Sequence, residues 1–193
     1  MSLIGQKTTT SFIEWDTLLS LIQKLERDKD YKFTLFLSIG MYTGLRIGDI
    51  LQLKWKQLLE NSFQITEKKT GKFRSVKVNN DLQTIIKRIQ NKLDITNTDQ
   101  FIFINKYKEE PFKRAYVNQK LKRIFKKYNV KYTGNISSHM LRKSLGRRVM
   151  EQNKYSGESL ILLSELFNHS SVSITKIYLG IRKEEVDSIY DCL

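Results

Sequence analysis

Residues 33–45 carry no charge, and their apolar run is broken only by Thr34, Ser38, Thr43 and two glycines. The stretch is too short to cross a bilayer, which takes about 20 apolar residues in a helix. Read as a helix over residues 31–42, it is apolar nearly all round, and such a helix belongs in an interior. Thr43-Gly44 supplies a left-handed stop after it. On its upstream side, Ser11 is placed to cap a first helix, in which Trp15, Leu18, Leu19, Ile22 and Leu25 follow helical spacing. On its downstream side a short helix is expected over residues 47–53. Phe63 and Ile65, then Val76 and Val78, alternate with polar neighbours around Lys69-Thr70-Gly71-Lys72, which predicts a β-hairpin over residues 63–78. Helix returns with Leu82, Ile85, Ile86 and Ile89. Phe101-Ile102-Phe103 reads as a short strand. Further helices are expected over residues 114–128, 138–152, 159–167 and 171–178, with a last amphipathic piece over residues 183–192.

The outline is an α+β fold, mainly helical, with a small antiparallel β-sheet. No repeat, low-complexity tract or linker marks a boundary, so residues 1–193 read as a single domain. A chain of that length can bury a core without disulfide or metal staples. The single cysteine, Cys192, has no partner, and no secretory signal opens the chain; the expected compartment is the cytoplasm, with no membrane partner.

Charge narrows the function. Thirty-four Lys and Arg against 20 Asp and Glu give a net charge of +14. Such an excess attracts polyanions, because neutralising phosphates releases their condensed counterions. The helix over residues 114–128 has an apolar stripe of Val117, Leu121, Ile124, Phe125 and Tyr128, which leaves Lys120, Arg123 and Lys127 on other faces. With Lys72, Arg74 and Lys143 these are the candidate nucleic-acid contacts.

The chain has only two histidines. His139 and Arg142 stand three apart and so share a helix face. His169 lies in a turn between two expected helices, and Tyr178 follows nine residues later. Far upstream, Arg46 opens a short helix that contains Asp49, which by itself reads as a local ion pair; Lys69 tips the hairpin. Taken singly these are ordinary residues. In order, Arg46, Lys69, His139-x-x-Arg142, His169 and Tyr178 resemble the catalytic set of the tyrosine recombinases: phage integrases, Xer-type resolvases and conjugative-transposon integrases. Thr43-Gly44-Leu45-Arg46 with Asp49 three on is similar to the family's first box. Lys69 matches its hairpin lysine, His139 to Arg142 its second box, and Leu166 to Tyr178 its last. The resemblance covers roughly residues 10–190. Three departures stand out. Asn168 replaces a usual glycine, though Asn also tolerates left-handed backbone. Lys77 replaces a frequent proline, and Leu179-Gly180 replaces a common Thr-His.

The resemblance implies a tyrosine-recombinase-like catalytic domain, without the separate N-terminal core-binding domain of the family, that cuts and rejoins double-stranded DNA through a 3′-phosphotyrosine. Two arginines in fork geometry would grip the non-bridging phosphate oxygens and stabilise transition-state charge. A phenol with a reference pKa near 10 needs a base or a cationic surround. The implied base is His139, the implied phosphate donor His169, and the implied acid for the leaving 5′-oxygen Lys69, with Lys68 or Lys72 as register alternatives. Asp49 is read as structural support. No cofactor or metal is expected: the sequence lacks His-Glu-x-x-His and Cys-x-x-Cys, and Thr66 and Phe73 stand where a P-loop needs Gly and Ser/Thr. Self-association into a tetramer on DNA, possible through residues 183–193, is a further implication. The competing readings are a non-catalytic DNA-binding remnant and a relaxing topoisomerase of related mechanism, with Tyr190 the next candidate nucleophile.

Overall fold

The structure, a computed structural model, describes residues 11–105, 110–181 and 190–192. Helix α1 (Trp15–Arg27) buries Leu18, Leu21, Ile22 and Leu25. It starts after Glu14, not at a Ser11 cap; the Ser11 carbonyl instead accepts from the Tyr132 hydroxyl at 3.0 Å. Helix α2 (Tyr31–Thr43) is the buried centre of the molecule. Its polar residues are reconciled with that burial inside the helix itself. Thr34 donates to the Asp30 carbonyl, Ser38 to Thr34 and Thr43 to Ile39, so no hydroxyl is left unpaired in an apolar surround. Gly44 caps α2 with φ +60.

After Gly44 the chain turns through α3 (Ile47–Ile50) and α4 (Trp55–Leu59). The short helix expected over residues 47–53 is therefore cut back to α3, and α4 is a further helix beyond that range. The break falls at Lys54, whose backbone is extended, bridges Phe101 and donates its N–H to the Gln57 side-chain oxygen. Strands β1 (Ser62–Thr66) and β2 (Phe73–Lys77) form the antiparallel hairpin, paired from Ser62↔Lys77 to Thr66↔Phe73. Phe63 and Val76 point inward. The expected strand at Phe101-Ile102-Phe103 contributes only one isolated bridge, from Phe101 to Lys54, so among the described residues the sheet has two strands.

Five helices follow: α5 (Asn80–Lys92), α6 (Arg114–Lys127), α7 (His139–Gln152), α8 (Gly157–Leu166) and α9 (Val172–Leu179). Asn79, Ser156 and Ser171 cap α5, α8 and α9 through side-chain oxygens. Helix α2 packs on α1, α5 and α7. Its approach to α7 needs a glycine: a Cβ on Gly40 would sit 2.5 Å from Leu141 Cδ1. A large core surrounds α2, and a smaller cluster of Leu145, Met150, Leu160, Leu163, Phe167, Leu179 and Ile181 holds α8 and α9 against the far half of α7. Among the described residues no helix is long and apolar enough to cross a membrane. Most of the amphipathic piece expected over residues 183–192 lies outside the described residues.

Candidate active site

Helix ends build the floor of the site. The last carbonyls of a helix lack intrahelical partners and carry its partial negative charge. Gly44 ends α2 and Phe167 ends α8, and both carbonyls face the seam between the two clusters. Arg142, one turn into α7 and 3% exposed, donates from Nη1 to the Gly44 carbonyl at 2.6 Å and from Nη2 to the Phe167 carbonyl. Its guanidinium also lies 4.3 Å from the centre of the Phe167 ring. Arg46, extended at the start of α3, reaches the same Phe167 carbonyl from Nη2 at 3.3 Å. Two guanidiniums from distant segments thus share one acceptor. Burial, with the neighbouring Arg46 and Arg74 opposed by Tyr178 and Glu67, lowers the Arg142 pKa to about 10, so it stays a cation at neutral pH.

Glu67, which the sequence reading passed over, neutralises this floor. It is fully buried, and its Oε2 accepts from Arg46 Nη1 at 2.5 Å, the Thr70 hydroxyl at 2.8 Å and Asn168 Nδ2 at 3.1 Å. Burial raises its pKa, but these donors and the Arg46 charge win, and the net shift is downward. The signal for it was present: Glu67 continues the period-two face of Phe63 and Ile65 and so had to point inward. Arg46 therefore pairs with Glu67 and not with Asp49. Asp49 is buried and accepts the Lys68 main-chain N–H at 3.0 Å, bracing the hairpin turn.

His169 and Tyr178 form the wall. Asn168 adopts φ +51, which carries the chain round from α8 to α9 at a position that tolerates left-handed backbone. The His169 Nδ1 lies 2.9 Å from the buried Thr175 hydroxyl, and its ring stands 5.3 Å from the Tyr178 ring, edge to face. Burial first, then Arg142 and Arg46, push the His169 pKa down to about 4. The Tyr178 hydroxyl donates to the His139 main-chain carbonyl at 3.4 Å, and Lys143 Nζ sits 5.2 Å from its ring. Burial pushes the phenol up to about 12, against the pull of Arg142 and Arg46. His139 opens to solvent at the start of α7; the protein packed about it, then Arg142, Lys69, Arg46 and Lys143, lower its pKa. Lys69 is exposed on the hairpin turn, and its charge reaches both histidines. Hydrogen bonds, ring contacts and electrostatic influence thus link all six residues of the expected set.

The other expected cations divide. Lys143 is inside the site. Arg74 is turned inward, donating to the Thr43 carbonyl at 2.9 Å, with a side chain only 12% exposed; the structure places it beneath the floor and not on the outer surface. Lys120 pairs with Asp30 at 2.9 Å and Lys127 with Asp28 at 2.5 Å. Lys72 and Arg123 are exposed.

Among the described residues, a mainly helical fold with one hairpin thus brings an arginine pair on helix-end carbonyls beside two imidazoles and a phenol. The chain belongs to the phage integrase family, whose model matches residues 11–185. Tyrosine recombinase XerD of Staphylococcus epidermidis is 25% identical over 194 residues, covering 96% of this chain and 63% of that protein. The chain thus spans about three fifths of that relative's length. The crystal structure of XerA recombinase superposes with a TM-score of 0.72 at 19% identity, over 95% of this chain and 65% of the other. A lambda integrase dimer bound to a COC′ core site gives 0.67 at 22% identity, over 90% and 49%. Their likeness in structure establishes the fold.

Proposed function

We propose that the chain is the catalytic domain of a site-specific DNA recombinase, one unit over residues 1–193, acting on double-stranded DNA. The observation that carries the reading is the meeting of Arg46 and Arg142 on the Phe167 carbonyl, with Tyr178 within the field of both. Relatives bearing the names recombinase and integrase, one of them held on DNA as a dimer, support it.

The protein engages only part of each arginine fork, and the remaining N–H groups are positioned to hold the non-bridging oxygens of a phosphodiester. By stabilising the dianionic transition state, the two arginines lower the cost of phenolate formation. Tyr178 swings from the His139 carbonyl, and its oxygen attacks phosphorus as the phenolic proton passes to His139. Both imidazoles are neutral at pH 7, which suits a base at His139. With the Thr175 hydroxyl donating to Nδ1, His169 keeps its proton on Nε2 for a phosphate oxygen. The bond from phosphorus to the 5′-oxygen breaks, and Lys69 supplies the proton that the oxygen takes. The covalent product conserves the ester bond for a second DNA end. The tail over residues 183–193 is the candidate for joining subunits into a tetramer.

Incubation with a nicked suicide duplex in EDTA tests the reading. A covalent adduct on a denaturing gel is expected, absent in Tyr178→Phe. Survival of the adduct in that variant would move the nucleophile to Tyr190, and supercoil relaxation without site preference would replace the recombinase with a topoisomerase.

A further inference from the structure

A buried carboxylate needs its charge met by partners, since desolvating it alone is prohibitive. Glu67 meets that need in an unusual way. Its three donors at Oε2 come from three separate stretches: the start of α3, the hairpin turn, and the turn between α8 and α9. Each stretch carries a group of the proposed reaction. Arg46 is itself a donor, Lys69 immediately precedes Thr70, and His169 immediately follows Asn168. The other oxygen, Oε1, faces Arg74 Nη1 at 3.8 Å, and neither atom has a hydrogen-bond partner among the described residues. Arg74 in turn holds the Thr43 carbonyl, next to the Gly44 carbonyl that anchors Arg142.

On the recombinase reading, we infer that Glu67 is a positioning residue for DNA cleavage. One of its oxygen atoms sets the hairpin lysine and the His169 turn in register with the Arg46 guanidinium, and its charge lets the arginines gather before DNA arrives. It touches no DNA. A misplacement near 1 Å can cost about 10²-fold in rate, so loosening this point should slow the chemical step while leaving DNA affinity intact. A residue that only supported the fold would change both together or neither.

The test uses the full chain and compares the single-turnover rate of adduct formation at saturating nicked duplex with the dissociation constant for the same duplex. Glu67→Gln keeps the volume and removes the charge. It is expected to melt as a folded protein, to form adduct about 10–100-fold more slowly, and to bind DNA no more weakly than the parent. A rate within about twofold of the parent, or a rate and an affinity that fall by the same factor, would overturn the inference. If Glu67→Gln does not fold, Thr70→Val decides, because Thr70 is exposed and its loss frees only the hairpin tether. Its slower cleavage should be restored by a duplex with sulfur at the bridging 5′-position, since a thiolate leaves without the proton from Lys69; slow cleavage that sulfur does not restore, or no slowing at all, overturns it. Absence of adduct from the parent chain would instead remove the recombinase reading, and this inference with it.

Discussion

Arg142 is 3% exposed and fastened to two main-chain carbonyls, whereas Tyr178, within its field, keeps one long hydrogen bond of 3.4 Å, and Lys69 stands exposed on a turn. Both halves of the site serve the same proposed step. The cations that must be in place beforehand are preorganised on helix ends, where reorganisation at the moment of reaction costs nothing. The phenol and the lysine, which have to move toward the phosphate and pass a proton, are held loosely. The same contrast recurs in the packing. The Gly44 side of the floor leans on the large core about α2, while the Phe167 side, with α8 and α9, belongs to the smaller cluster and leaves Ile161, Leu162, Leu166, Ile174 and Ile177 exposed.

Substitution on the loose side gives the largest expected effect. Lys69→Ala should lower adduct formation about 10²–10⁴-fold, the usual range for a general acid. Its melting temperature should stay unchanged, and a bridging 5′-sulfur should restore the rate. Failure of sulfur to restore it would place Lys69 with the rigid groups. On the fixed side, Arg142→Lys should cost about 10²–10³-fold in rate, comparable to losing one oxyanion donor, because an ammonium cannot span the Gly44 and Phe167 carbonyls together. Unlike Lys69→Ala, it should also lower thermal stability, by leaving a buried carbonyl unpaired.

Gly44→Ala examines the floor without touching a reacting group. At φ +60 the new Cβ would meet Leu145 Cδ2 at 2.8 Å, and denaturant melts should show about 1–3 kcal/mol of destabilisation. Acid should act on the wall. The His169 pKa is pushed down to about 4, against roughly 6.5 for an exposed imidazole. The unfolded chain therefore takes up this proton first, and stability should fall as pH drops through that window and level off below it. Thermal melts of His169→Asn should show a shallower decline; an unchanged decline would assign the acid sensitivity elsewhere. The smallest effect is expected from Lys127→Ala, whose pair with Asp28 is exposed and screened by solvent, so denaturant melts should barely move. It should change the salt dependence of DNA binding less than Lys72→Ala does.

The order of elements, the buried helix, the hairpin and the spacing of Arg46, Lys69, His139, Arg142, His169 and Tyr178 were legible because each rests on local periodicity or on a short motif. Ser11 was misjudged as a cap because α1 could start at Glu14 once Ser11 was engaged by Tyr132 from across the fold. Phe101-Ile102-Phe103 has strand composition, but Ile102 and Phe103 are buried without a long partner strand to pair with. Arg74 was indistinguishable in sequence from a solvent-facing cation, because the Thr43 carbonyl that turns it inward lies 31 residues away.

The sequence by itself determined which side chains could do chemistry and on which faces of which elements they lie, since helix and strand periods are properties of a few consecutive residues. The tertiary structure alone decided that Arg46 answers to Glu67 and not Asp49, that helix-end carbonyls seat the arginines, and that burial pushes the His169 pKa down to about 4. Those outcomes depend on distances between segments and on the solvent excluded when they pack, and neither quantity is written in any local stretch of chain.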